Sequence, residues 1–190
     1  LGGLSAERVG TEMRKLLCAP DPSAALAIMA QTGVLAQVLP GADTRAIGPL
    51  VMLERGEPLR WLRRLAALGG EAPAKRWRLS NREAKGLAEI HDAMALPSLM
   101  EAGYRLGEAA AMDAMLVQCA SLETPVDKHV VQLIKAAAKE VFPLKAPYVM
   151  DRIPAGKALG VELRRLEKLW IDSGFGLSAA ALDQMVKPYD

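Results

Sequence analysis

Aromatic residues make up only 4% of the 190-residue chain (three Trp, three Tyr and two Phe), so a core has to be filled with Leu, Ala, Val and Met. Apart from Val these are strong helix formers, and alternating strand patterns are absent, which points to an all-α fold. Histidine is also scarce. His91-Asp92 has the form of a helix-borne metal-ligating dipeptide, but the further upstream His and downstream Asp of such a phosphohydrolase site are missing, and His129 is far along the chain; a metal site is therefore rejected. Cys18 and Cys119 lack partners at metal or disulfide spacing and are expected to be buried as small hydrophobes. Gly2-Gly3 and Gly69-Gly70 lack the Lys-Ser or preceding strand of a phosphate loop, no Ser sits in a nucleophile elbow, and the carboxylates are scattered along helix faces. No catalytic residue is assigned. No apolar run approaches the roughly 18 residues of a membrane span, and no signal segment heads the chain, so a cytoplasmic protein is expected.

What is present is one helix after another, each with start and stop signals and joined by short connections, which gives an irregular multi-helix array without an internal repeat. Ser5 can cap a first helix whose apolar face carries Val9, Met13, Leu16 and Leu17. Asp21-Pro22 starts a second, with Gly33 as a left-handed terminator. Ser80 with Glu83 and Ser98 with Glu101 have the spacing of capping boxes. Thr124-Pro125 is expected to begin a helix with the stripe Val130, Leu133, Ile134, Ala137 and Val141, ended by Pro143. A last long helix carries Leu159, Leu163, Leu166 and Trp170 before Gly174.

Charge is distributed unevenly. The net charge is +2, yet residues 55–85 hold nine Lys or Arg against three Glu, a local +6 that leaves −4 for the remainder. The cations are Arg55, Arg60, Arg63, Arg64, Lys75, Arg76, Arg78, Arg82 and Lys85. Arg60, Arg63 and Arg64 share a face at helical spacing, with Leu59, Leu62 and Ala66 expected to turn toward the core, and Trp61 and Trp77 are interleaved as rings available for stacking. Two readings stand at this point: a phosphate-contacting surface, or a solvated helix face over core tryptophans. A smaller basic set, Arg164, Arg165 and Lys168, is offset by Glu162 and Glu167 and reads as surface solvation.

The opening LSAERVGTEMRKLL followed by APDPSAALAIMAQTGVLAQVLP resembles the segment that follows the catalytic half of the bacterial class II tRNA nucleotidyltransferase (CCA-adding enzyme) and poly(A) polymerase family. WRLSNREAKGLAEI, GYRLGEAAAMDAML and FPLKAPYVMDRIPAGKALGVELRRLEKLWIDSGFGLS resemble later elements of the same family, in the same order, over nearly the whole chain. The last departs from the family at Arg152 and Lys157, where a glycine and a proline are usual, and both changes add positive charge.

The resemblance implies a neck remainder at residues 1–40, a body helical domain at 41–142 and a tail at 143–190. It implies that the chain binds the 3′ end region of tRNA or another RNA and positions it for a catalytic head domain, with its magnesium-binding aspartates, that lies before Leu1. On this reading the abrupt opening is where the head and first neck helix stop. These 190 residues alone then need no cofactor and transfer no nucleotide. The expected RNA-binding residues are Arg60, Arg63, Arg64, Lys75, Arg76, Arg78, Arg82 and Lys85. Glu7 and Arg8 match a neck motif that braces the nucleotide-reading helix, and the apolar face around Val9, Met13 and Leu16, stripped of its neck partner, is expected to be exposed and to support a weak dimer. The competing expectation is a helical protein-interaction or structural module without RNA binding. Sequence alone leaves CCA addition and poly(A) addition undivided.

Overall fold

The computed structural model describes residues 5–153 and 156–187. Among them are twelve α-helices and no strand, the all-α array that the composition calls for. No helix there is long and apolar enough to cross a membrane.

The first helix, α1 (Ala6–Leu17), starts where Ser5 Oγ accepts from the Arg8 backbone N–H at 3.3 Å, with Glu7 in the first turn and Arg14 and Lys15 in the last, each at the helix end its charge favours. Next, α2 (Ser23–Gln31) begins one residue later than Asp21-Pro22 suggests: Asp21 accepts from the Ser23 N–H at 2.9 Å, leaving Pro22 as the boundary residue. Gly33, at φ +73°, reverses the chain into α3 (Val34–Val38), a geometry that glycine adopts without steric cost. Then follow α4 (Ile47–Leu53), α5 (Trp61–Leu68) and the single turn α6 (Pro73–Arg76). Ser80 and Glu83 form a complete capping box at the head of α7 (Asn81–Ala95). At α8 (Leu99–Leu106) only half the box forms, because the Glu101 carboxylate turns to Arg105 at 2.7 Å instead of reaching back to Ser98.

Two further helices follow. The Ala-rich helix α9 (Glu108–Ser121) is buried on nearly every side, while α10 (Lys128–Ala137) starts three residues later than Thr124-Pro125 implies, because Asp127 takes the cap by accepting from the His129 N–H at 2.7 Å. It also ends before Val141, which is therefore not part of the buried stripe and is 79% exposed. After them, a 3-10 turn (Ala146–Tyr148) leads to α11 (Lys157–Asp172) and α12 (Ala179–Gln184).

Three hydrophobic clusters hold these helices. The first gathers Met13 and Leu17 of α1 with Leu26, Leu35, Leu65, Trp77 and Ile90, so it draws on both sides of residue 40. Of the face of α1 expected to lie bare, Met13 and Leu17 are buried within the chain, and Val9 and Leu16 are half-buried against the same cluster. The second cluster joins α4, α8, α9 and α10 through Leu50, Ala102, Ala111, Met115 and Ile134. Small residues let these helices approach closely; a Cβ at Gly103 would sit 2.9 Å from the Ile134 carbonyl oxygen.

The third cluster is where the scarce aromatics are concentrated. Trp170 meets Tyr104, Phe142 and Phe175 with ring centroids 5.4, 5.6 and 4.9 Å away, all near edge-to-face. The Tyr104 hydroxyl donates to Glu167 at 2.6 Å, and burial together with that carboxylate pushes the phenol up to about 12. Arg105 donates to Glu167 as well, so α8 is tied to α11.

Glu162 gives the packing of α11 a pH dependence. It accepts two bonds from Arg165 and one from the Lys187 backbone N–H, and the Arg165 bonds hold its carboxyl below the ordinary 4.5. A carboxyl lowered in the folded state contributes stability that is complete above about 4.5 and is lost as pH falls through the lowered value. Thermal melts from pH 6 down to pH 3 should therefore fall more steeply for the wild type than for Glu162→Gln; parallel curves would show that Glu162 carries none of the acid sensitivity.

Candidate nucleic-acid interface

The basic stretch divides into an inner and an outer half. Arg63 and Arg64, expected to face outward, are each 2% exposed. Their helix α5 packs against α7 and α9, and the register that buries Leu65, Ala66 and Leu68 also turns both guanidiniums inward. Leu59, expected in the core, is instead 44% exposed, because it lies in the extended segment before the helix.

Each buried guanidinium is fully employed. Arg63 donates from Nε to Glu54 Oε1 at 2.7 Å, from Nη1 to Asp113 Oδ1 at 3.2 Å and from Nη2 to the Pro58 carbonyl at 2.8 Å. Arg64 donates from Nε to Glu54 Oε2 at 2.8 Å and from its two terminal nitrogens to the carbonyls of Leu17, Ala19 and Pro20, which are carbonyls left open where α1 ends. Half-buried Arg60 faces Asp113 Oδ2 at 3.1 Å. Burial pushes the Asp113 carboxyl up on balance, against the downward pull of Arg60 and Arg63. Groups buried and committed in this way offer no donor to an RNA phosphate, and Arg63 and Arg64 form a structural clamp joining α1, α4, α5 and α9, while the Arg60 side chain beside it is 39% exposed.

The rings are committed too. Trp77 is buried, with Nε1–H donating to the Val38 carbonyl at 3.0 Å. Trp61 is half-buried and lies under the Arg14 guanidinium, 5.0 Å from the ring centroid. Cys18, expected in the core, is exposed, since it falls one residue past the end of α1. Glu7 and Arg8 are exposed, and among the described residues neither forms an ion pair.

The outer half of the stretch, Lys75, Arg76, Arg78, Arg82 and Lys85, is exposed. Three of these side chains line an open cleft of about 600 Å³, whose opposite wall is Ala6 and Val9 of α1 with Gln37 and Val38 of α3. Arg76 donates to the Glu71 carbonyl at 3.0 Å, while among the described residues Lys75 and Arg78 pair with no carboxylate. Arg82 and Lys85 continue along the exposed side of α7, where Lys85 reaches Glu89 at 3.7 Å.

The cleft is shaped by unusual backbone. Ala72 and Arg78, one on either side of α6, both line it and both are left-handed, at φ +48° and +51°. For residues with a Cβ this costs on the order of 1–2 kcal/mol each. The two walls also meet at close range: Gly10 of α1 lies against the Trp77 backbone, where a Cβ would come within 2.2 Å of the carbonyl oxygen.

Two acidic residues were the unread signal for the inner half. Asp113 interrupts the apolar run AAAMDAMLV, and Glu54 follows IGPLVML; a carboxylate in such a setting calls for a buried cation. Among the described residues no three His, Cys, Asp or Glu side chains cluster, and His91 and Asp92 are exposed on α7.

Residues 1–45 match the family model described as "Probable RNA and SrmB-binding site of polymerase A". No curated protein and no solved structure matches the chain. The segment that supplies one wall of the basic cleft is thus similar to an RNA-binding region of the poly(A) polymerase family.

Proposed function

We propose that this chain grips RNA for a nucleotidyltransferase of the tRNA CCA-adding and poly(A) polymerase family, holding the 3′ end region for a catalytic head domain outside these 190 residues. The observation that supports it best is the coincidence of two independent features: the segment similar to a family RNA-binding region forms one wall of a cleft, and Lys75, Arg76 and Arg78 form the other. The cleft combines net positive charge with an exposed mouth, which suits a phosphate backbone. Magnesium belongs to the head in this reading; the described residues here offer no cluster to hold it, and no chemical step is assigned to this chain.

Binding of a tRNA and of an unrelated RNA hairpin across a salt series tests the reading. Each phosphate contact contributes somewhat under one unit to the slope of log affinity against log salt. A Lys75→Ala, Arg76→Ala, Arg78→Gly variant should flatten that slope by about two units for both RNAs, because phosphate contacts carry no base information. Arg78→Gly removes the guanidinium while relieving a left-handed backbone, so melting should not fall. Wild-type protein that binds neither RNA at low salt would overturn the RNA reading in favour of a protein-interaction module.

A further inference from the structure

We infer that Gln37 is the residue through which the cleft distinguishes ribose from deoxyribose. This rests on the reading that the cleft takes RNA, and it concerns which part of the RNA each wall meets.

The two walls differ in chemistry. On the α6 side, Lys75, Arg76 and Arg78 present cations suited to phosphate oxygens. The other lining residues are Ala6, Val9, Val38 and Ala72, whose side chains are hydrocarbon only, and Gln37, whose side chain is an amide. Among the described residues no aromatic ring lines the cleft, and Trp77, the nearest in sequence, is buried with its N–H spent on Val38. Stacking on a ring, the usual way to hold an unpaired base, is therefore not offered here. What fits an apolar wall set against a cationic one is the sugar–phosphate backbone: phosphate toward the cations, and the C–H edge of the sugar against Val9 and Val38.

Toward that wall ribose carries one hydroxyl that deoxyribose lacks, the 2′-OH, while the ring oxygen is common to both sugars. Gln37 is the uncharged polar side chain lining the cleft; it is exposed on the short helix α3, and its amide makes no hydrogen bond within the described residues. A carboxamide both donates and accepts, as does a 2′-hydroxyl, so the pair can match in either sense. The cations cannot make this distinction, because RNA and DNA carry the same phosphates.

The experiment measures binding of the full chain to an RNA hairpin and to the same hairpin in DNA, for wild type, Gln37→Leu, Gln37→Met and Lys75→Ala. Wild type should favour RNA, and both Gln37 variants should lower RNA affinity roughly two- to ten-fold while leaving DNA affinity unchanged, the range expected for one uncharged hydrogen bond. Lys75→Ala should weaken both hairpins equally. Two Gln37 substitutions of different shape guard against a packing artefact, and melting curves establish that each variant is folded. Equal wild-type affinity for the two hairpins, or Gln37 variants that lose both or neither, would overturn the ribose assignment while leaving RNA binding in place. Binding of neither hairpin by wild type would overturn the RNA reading itself.

Discussion

Glu54→Ala should lower the stability of the fold by about 3–5 kcal/mol, the usual cost of removing one partner from a buried ion pair. The Glu54 carboxylate, at 6% exposure, accepts Nε–H of Arg63 on one oxygen and Nε–H of Arg64 on the other, at 2.7 and 2.8 Å. Truncation leaves two guanidiniums out of water with only Asp113 as counter-charge, and Arg64 then relies on backbone carbonyls alone. For a chain of this length, where each kcal/mol shifts the melting temperature by about 2–4 °C, the midpoint should drop by roughly 10 °C. Exposed Arg82→Ala should stay within about 0.5 kcal/mol of wild type. Denaturant titration of both variants measures the contrast. A Glu54→Ala protein as stable as Arg82→Ala would mean that the clamp is hydrated and contributes little.

That clamp marks the boundary of what sequence patterning could reach. Helix existence was legible because it depends on local signals: Ser5, the Ser80–Glu83 box and Gly33 each act within one turn of their own position. The faces of α11 were legible for the same reason, since Leu159, Leu166 and Trp170 recur at helical spacing and are buried. Which face of α5 points inward was not. Two adjacent arginines read as solvent-facing on any hydropathy scale, and their burial depends on Asp113, fifty positions away, and on Glu54 across the turn before the helix. The start of α10 failed more locally: Pro125 is a good first-turn residue, but Asp127 supplies a cap that Thr124 does not.

The cleft was half legible. Its cations were visible as a run of charge, and residues 1–40 were legible as resembling a neck segment but not as an RNA-binding one, and nothing in the sequence brings Lys75 and Val9 to one cleft. That apposition is set by packing: Trp77 fills the first cluster, bonds to Val38 and brings the end of α6 against α1. Burying the ring removes the stacking surface but fixes the spacing of the two walls, so the tryptophan serves the site as a brace.

The point of closest approach in that brace is Gly10, and Gly10→Ala should destabilise the protein by about 1–2 kcal/mol. In an ordinary helix interior, replacing Gly with Ala gains roughly 1 kcal/mol of helix propensity. Here the new Cβ would stand 2.2 Å from the Trp77 carbonyl oxygen and 2.9 Å from the Trp77 Cβ, both backbone-anchored and unable to swing aside. Either α1 lifts from its cluster, disturbing Met13 and Leu17, or the chain after α6 shifts and strains the bond from Trp77 to Val38. Overpacking of this kind typically costs about 1–3 kcal/mol, and the propensity gain offsets only part of the larger values. Gly160→Ala provides the matched control. It lies in α11, where the added Cβ meets only the end of the Arg164 side chain at 3.6 Å, and should raise stability by up to about 1 kcal/mol. The same chemical change is thus expected to have opposite signs in two helices of one protein. Because α1 carries Ala6 and Val9, Gly10→Ala should also weaken RNA binding in conditions where the variant is still folded, while Gly160→Ala leaves it unchanged. Thermal melts with parallel binding curves decide the matter: two stabilised variants would show that α1 and Trp77 are loosely apposed, and a destabilised Gly10→Ala with undiminished RNA affinity would separate the brace from the binding cleft.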